Sequence, residues 1–171
     1  MSVDWPTTEL DPVRRLRVMA AGLNAVMYAD AHLDIPFADV WAVASDLEGE
    51  LPYLVPTLRA FVTSPASETR QHAWAYGPFG HRARFDVVLQ PGWCLMQSRY
   101  VIGGMAAVPE GSGTRFAVLG GLRQTRPAQA LTALRPLGHT RGQHMITRAR
   151  QRAAGRVRRC SEPCGQSTAG P

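Results

Sequence analysis

Four polar side chains fall within otherwise apolar strand patterns and could do chemistry: His72, Tyr76, Ser98 and Tyr100. His72 can act as a general acid or base, and Tyr100 can polarise a carbonyl. The plainer reading is the stronger for each. A half-buried His is more often simply hydrogen-bonded, and a buried Tyr more often packs its ring and satisfies its hydroxyl.

Other chemical signatures are missing from the sequence. It has no phosphate-binding P-loop and no GxGxxG, so no cofactor is expected. Gly111-Ser-Gly belongs to a hairpin turn rather than to a nucleophile elbow. His139 and His144 stand five apart with no Glu between them, unlike a zinc-binding HExxH helix. Asp30, His32 and Asp34 alternate on one strand face and read as a solvated face, so no metal is expected. Cys94, Cys160 and Cys164 are too few and too odd in number for a disulfide framework.

The elements that must position these groups follow from periodicity and punctuation. Asp11 and Pro12 suit the N-cap and first turn of a helix over 11–21, which Gly22 ends. Ala29, Ala31, Leu33 and Ile35 alternate with polar residues as a half-buried strand does. Pro36 opens a helix over 37–46, and a short helix fits 51–54. Strands are expected near 58–64, 69–76, 81–90, 93–102, 104–109 and 114–122, separated by Ser-Pro, Gly-Pro, Pro-Gly and Gly-Gly turns. Such short connections make antiparallel pairs. Residues 126–158 read as mostly helical, with a break or kink at Pro136.

The expected organisation is an N-terminal extension over 1–24 carrying a short amphipathic helix, a domain over 25–158 and a disordered tail over 159–171. The class is α+β: a seven-stranded antiparallel sheet with one buried face, covered by the terminal helix.

Alternation also selects an inner face. It assigns Phe85 and Val87 of the 81–90 strand to the interior, with Ala83 and Leu89. From 93–102 it takes Met96, Ser98 and Tyr100, with Cys94 and Ile102. From 69–76 it takes His72, Trp74 and Tyr76, and from 114–122 Phe116 with Val118. His72, Trp74, Tyr76, Phe85, Val87, Met96, Ser98, Tyr100 and Phe116 are therefore the expected inward-facing residues, and the ligand-binding ones under the cavity that the resemblance given next implies.

The run Ala31-His-Leu-Asp-Ile-Pro-Phe-Ala-Asp-Val-Trp-Ala-Val-Ala-Ser-Asp-Leu47 resembles the opening of the START-like superfamily. Leu51-Pro52 before Val55-Pro56, Phe85-Asp-Val-Val-Leu-Gln-Pro-Gly-Trp93 and Gly111-Ser-Gly-Thr-Arg-Phe116 are similar to its second short helix and later hairpins. The resemblance covers roughly 28–122 and implies a helix-grip fold. It also implies a cavity between the sheet and the last helix for an apolar or amphipathic molecule. It implies no catalytic set, since the superfamily has no common one.

Binding of a small hydrophobic molecule such as a lipid, polyketide or isoprenoid is thus the leading functional expectation. An aromatase/cyclase-type enzyme using the same pocket is the alternative. A third is an interaction protein acting through its Arg-rich end. All nineteen basic residues are Arg. Residues 1–122 hold nine Arg and twelve acids, whereas 123–171 hold ten Arg and only Glu162. No aromatic residue follows Arg123, so the tail has no base-stacking platform and no nucleic-acid partner is expected. No stretch approaches the ~20 apolar residues of a transmembrane helix, and a cytoplasmic location is expected. Oligomeric state is not legible.

Overall fold

The structure is a computed structural model that describes residues 10–23, 27–122 and 135–161. The expected frayed start and most of the tail, with Cys164, lie outside the described residues, as do 126–134 of the expected last helix.

Helix α1 spans Pro12–Gly22, and the Asp11 carboxylate caps it by accepting the Arg14 backbone N–H at 2.9 Å. Strand β1 (Met27–Leu33) follows, then α2 (Phe37–Ala44) and α3 (Leu51–Leu54). Six strands complete the sheet: β2 (Ala60–Pro65), β3 (Arg70–Tyr76), β4 (Arg82–Gln90), β5 (Trp93–Gln97), β6 (Val101–Glu110) and β7 (Gly113–Leu122). The last helix, α4, spans Arg135–Ser161. All pairings are antiparallel, in the order β1-β7-β6-β5-β4-β3-β2. The α+β architecture is the one the sequence predicts.

Two local expectations need correction. The described part of the last helix begins at Arg135, next to Pro136, and what precedes it lies outside the described residues. Helix α4 runs on through Arg159 to Ser161, into the segment expected to be tail. Gly103-Gly104 is not a turn. The reversal comes at Ser98–Tyr100, where the Ser98 hydroxyl accepts the backbone N–H groups of Tyr100 and Val101 at 3.3 and 2.9 Å. Strand β6 then runs through both glycines.

The sheet buries both faces rather than one. On the inner face, Leu33, Met105, Phe116 and Val118 pack with Val40 and Val43 of α2 and with Met145, Ile146, Ala149 and Ala153 of α4. On the outer face, Val13, Leu16 and Ala20 of α1 pack on Trp93, Ala106, Ala117 and Leu119. Gly104 makes room for this second core. A Cβ there would lie 2.8 Å from Leu16 Cδ1. Arg17 bonds both Asp30 oxygens at 3.0 and 3.1 Å and so ties α1 to β1. Asp30 also takes Arg115 at 3.0 Å, and Glu110 takes Arg115 and His32, each at 2.8 Å. The Asp30-His32-Asp34 face thus belongs to an ion network rather than standing merely solvated.

Helix α4 packs on β1, β7, α2 and α3. Gly142 permits the approach to β1, since a Cβ there would meet Ala29 Cβ at 2.8 Å. In a free helix Gly→Ala is worth about 1 kcal/mol of stabilisation. Here the new methyl meets another backbone-anchored methyl, and overpacking costs about 1–3 kcal/mol. We expect Gly142→Ala to be destabilising in chemical denaturation. A stabilised variant would mean that α4 does not sit this close to β1.

Glu48, between α2 and α3, accepts the backbone N–H and hydroxyl of Thr63 and so fixes β2. These bonds, the backbone one first, hold its carboxyl below the ordinary value. A carboxylate with a lowered folded pKa contributes fully above its unfolded pKa, about 4.3. That contribution fades as pH falls through the folded value. Glu48→Gln should therefore lower Tm at neutral pH, and the gap to the native chain should narrow steadily as pH falls below the ordinary carboxylate value. A gap independent of pH would show that the charge is not what matters.

Candidate functional site

The inner face of β2–β4 is set by register. Phe61, Ala75 and Ala83 form one cross-strand row, and Thr63, Ala73 and Phe85 form the next. The rings of Phe61 and Phe85 come from strands on either side of β3 and meet at 5.9 Å between centroids. They close over the alanines of β3, so only small side chains fit at positions 73 and 75. Val87, Met96 and Gly103 continue this face toward the middle of the sheet.

That geometry decides where the sequence-predicted residues stand. Phe85, Val87, Met96 and Phe116 lie on the inner face; Val87 and Phe116 are fully buried, and Phe85 is half-buried. His72, Trp74 and Tyr76 do not join them. They lie on the outer face and are exposed, because β3 turns Ala73 and Ala75 inward. Trp74 carries the Arg82 guanidinium at 5.5 Å from its ring, and His72 Nδ1 lies 3.0 Å from Asp86. Ser98 is buried but works in the β5–β6 turn. Tyr100 is exposed in that turn, because the strand expected to carry it stops at Gln97. Ile102 is buried in register with Gln97, off the face that carries Met96. Phe61, Ala73 and Ala75 are the inner residues that sequence reasoning missed. The available signal was the alternation of small Ala with large aromatics on β3, which marks two apolar faces rather than one.

The chemistry of this face is quiet. Thr63 and Gln71 are the polar residues in register on it in β2 and β3, and the Thr63 hydroxyl is bonded to Glu48. Burial pushes the Cys94 thiol up to about 12, which keeps it protonated and unreactive. Among the described residues no group of His, Cys, Asp or Glu is arranged to hold a metal ion. No described helix is long and apolar enough to cross a membrane. Two surface depressions lie away from the inner face. One of about 310 Å³ is on the outer face, beside His72, Asp86 and Leu95. Another of about 400 Å³ lies between Tyr53 and Arg152.

No family model matches the chain, and no curated protein sequence matches it significantly. Solved structures do match. A protein from Thermus thermophilus superposes with a TM-score of 0.58 at 17% identity, covering 76% of this chain and 97% of that one. The Zhui aromatase/cyclase from Streptomyces sp. R1128 gives 0.58 at 15% identity, covering 80% and 98%. The di-domain aromatase/cyclase StfQ of steffimycin biosynthesis gives 0.61 at 14% identity, covering 77% of this chain and 51% of that one. This chain therefore spans about half of the di-domain protein.

The chain has the helix-grip fold. It is the fold of the START-like superfamily that the sequence resembles. In this helix-grip protein α4 packs against the β1–β7 edge of the sheet. The Phe61–Phe85 face lies toward the opposite edge, and Leu58, Ala83 and Phe85 there are only partly buried.

Proposed function

We propose that this helix-grip protein binds a small hydrophobic or amphipathic molecule, of lipid, polyketide or isoprenoid kind, between the sheet and α4. The observation that carries this is the inner face of β2–β4. Paired Phe rings and alanines line it; Phe61, Ala73 and Ala75 are buried, while Leu58, Ala83 and Phe85 stay partly exposed beyond the strands on which α4 packs. An apolar recess with few polar groups is the usual form of a small-molecule site.

Two of the superposed structures are aromatase/cyclases, which raises ring-closing chemistry as the alternative. A cyclase needs at least two polar groups converging inside the pocket. His72, Tyr76, Ser98 and Tyr100 lie elsewhere, and Thr63 and Gln71 supply no acid–base pair. The geometry therefore favours binding without catalysis.

Ala83→Trp tests the proposal. A bulky ring at the end of the Phe61–Ala75–Ala83 row should fill the recess and abolish Nile red binding while Tm stays within a few degrees. Overpacking of an already full core would instead cost about 1–3 kcal/mol. Unchanged probe binding by a folded variant would place any ligand elsewhere.

A further inference from the structure

We propose that the β3–β4 hairpin tip docks this protein on an anionic lipid bilayer, with Phe79 inserted and Arg59, Arg82 and Arg84 facing the headgroups. The proposal stands on this surface alone and holds whether or not the inner face takes a ligand.

The turn Gly77–His81 is closed by the Gly77 N–H donating to the His81 carbonyl at 2.7 Å. Phe79 stands at its apex and is 91% exposed. Its φ is 64°, in the left-handed region that favours Gly and Asn and disfavours bulky side chains. The ring supports no core and the backbone would be easier without it, so folding does not account for a Phe here. Trp74 and Tyr76, on the outer face of the same hairpin, are also substantially exposed. Their amphipathic rings suit the headgroup boundary, as Arg does.

The charge around the tip is one-sided. Arg82 pairs with Tyr76 and Arg84 with Trp74 across the hairpin, and Arg59 is held alongside by its N–H donating to the Tyr76 carbonyl at 2.8 Å. Thr69–Phe85 contains no acid, nor does Leu51–Ser67. The acid nearest in sequence on the outer face, Asp86, bonds His72 at 3.0 Å and lies 4.0 Å from Arg84. A single-stranded nucleic acid would share the need for rings and positive charge. It calls for flat stacking platforms, however. Trp74 already carries Arg82, and Phe79 sits at a turn apex, where it offers insertion.

The test is co-sedimentation of the full chain with vesicles of phosphatidylcholine and phosphatidylglycerol. Binding is expected to weaken as salt rises and to fall strongly on phosphatidylcholine alone. Phe79→Gly relieves the left-handed backbone and should keep Tm, while binding drops roughly tenfold to a hundredfold. Arg82→Glu with Arg84→Glu should weaken binding at least roughly 25-fold, about fivefold for each Arg. Circular dichroism confirms that both variants fold. No binding to the mixed vesicles overturns the proposal. So does binding that survives both variants, which would point to the Arg-dense α4. Capture of a single-stranded oligonucleotide in place of vesicles, lost in Trp74→Ala, also overturns it.

Discussion

Leu16→Ala should destabilise the protein by about 2–5 kcal/mol, the cost of emptying a well-packed leucine site. Leu16 is fully buried although it lies in the first helix of the chain. Its Cδ1 occupies the space that a side chain at Gly104 would take, and its neighbours Val13 and Ala20 pack on Trp93, Ala106, Ala117 and Leu119. Little can collapse into the gap, because Gly104 has no side chain to extend and the strands beneath are tied on both sides. For a chain of this size each kcal/mol lowers Tm by about 2–4 °C. Urea denaturation should show a lower midpoint at unchanged slope. A loss under about 1 kcal/mol, in the range of an ordinary surface change, would mean that α1 is only loosely attached.

Phe116→Ala should cost about 3–5 kcal/mol. The ring is fully buried and sits between Ala31 and Ala107 across the strands, so it supplies the bulk of its row. Phe85→Ala should cost clearly less, because that ring is only half-buried and has less apolar area to lose. The ordering reverses for ligand: Phe85→Ala should weaken Nile red binding, whereas Phe116→Ala should leave it intact at temperatures where the variant stays folded. Equal stability losses at the two positions would mean that the space under α4 at β7 is already open. The recess would then belong there.

Much of the fold was legible because local chemistry agreed with global arrangement. Asp11-Pro12, Pro36 and the Pro-Gly turn before Trp93 each mark a boundary the structure keeps. The failures share a cause. Gly103-Gly104 has turn composition, but its glycines answer to packing: Met96 Cε and Leu16 Cδ1 come close where their side chains would be. The Ser98–Tyr100 reversal is made by a hydroxyl, a weaker signal than glycine. On β3 both faces are apolar, so period alone could not choose between Ala73/Ala75 and Trp74/Tyr76. The choice is made by Phe61 and Phe85, which belong to other strands and claim the inner volume.

Docking of α1 on the outer face also constrains the order of assembly. Its apolar stripe is made before the sheet, yet Ala117 and Leu119, which help to cover it, come about a hundred residues later. Contacts so far apart in sequence must close a long loop before they return any stability, which raises contact order and slows folding. Until β5 and β6 emerge, Val13, Leu16 and Ala20 lack most of their partner surface in the nascent chain, and β7 then completes it with Ala117 and Leu119. The helix at the start of the protein completes its packing only when nearly the whole sheet exists.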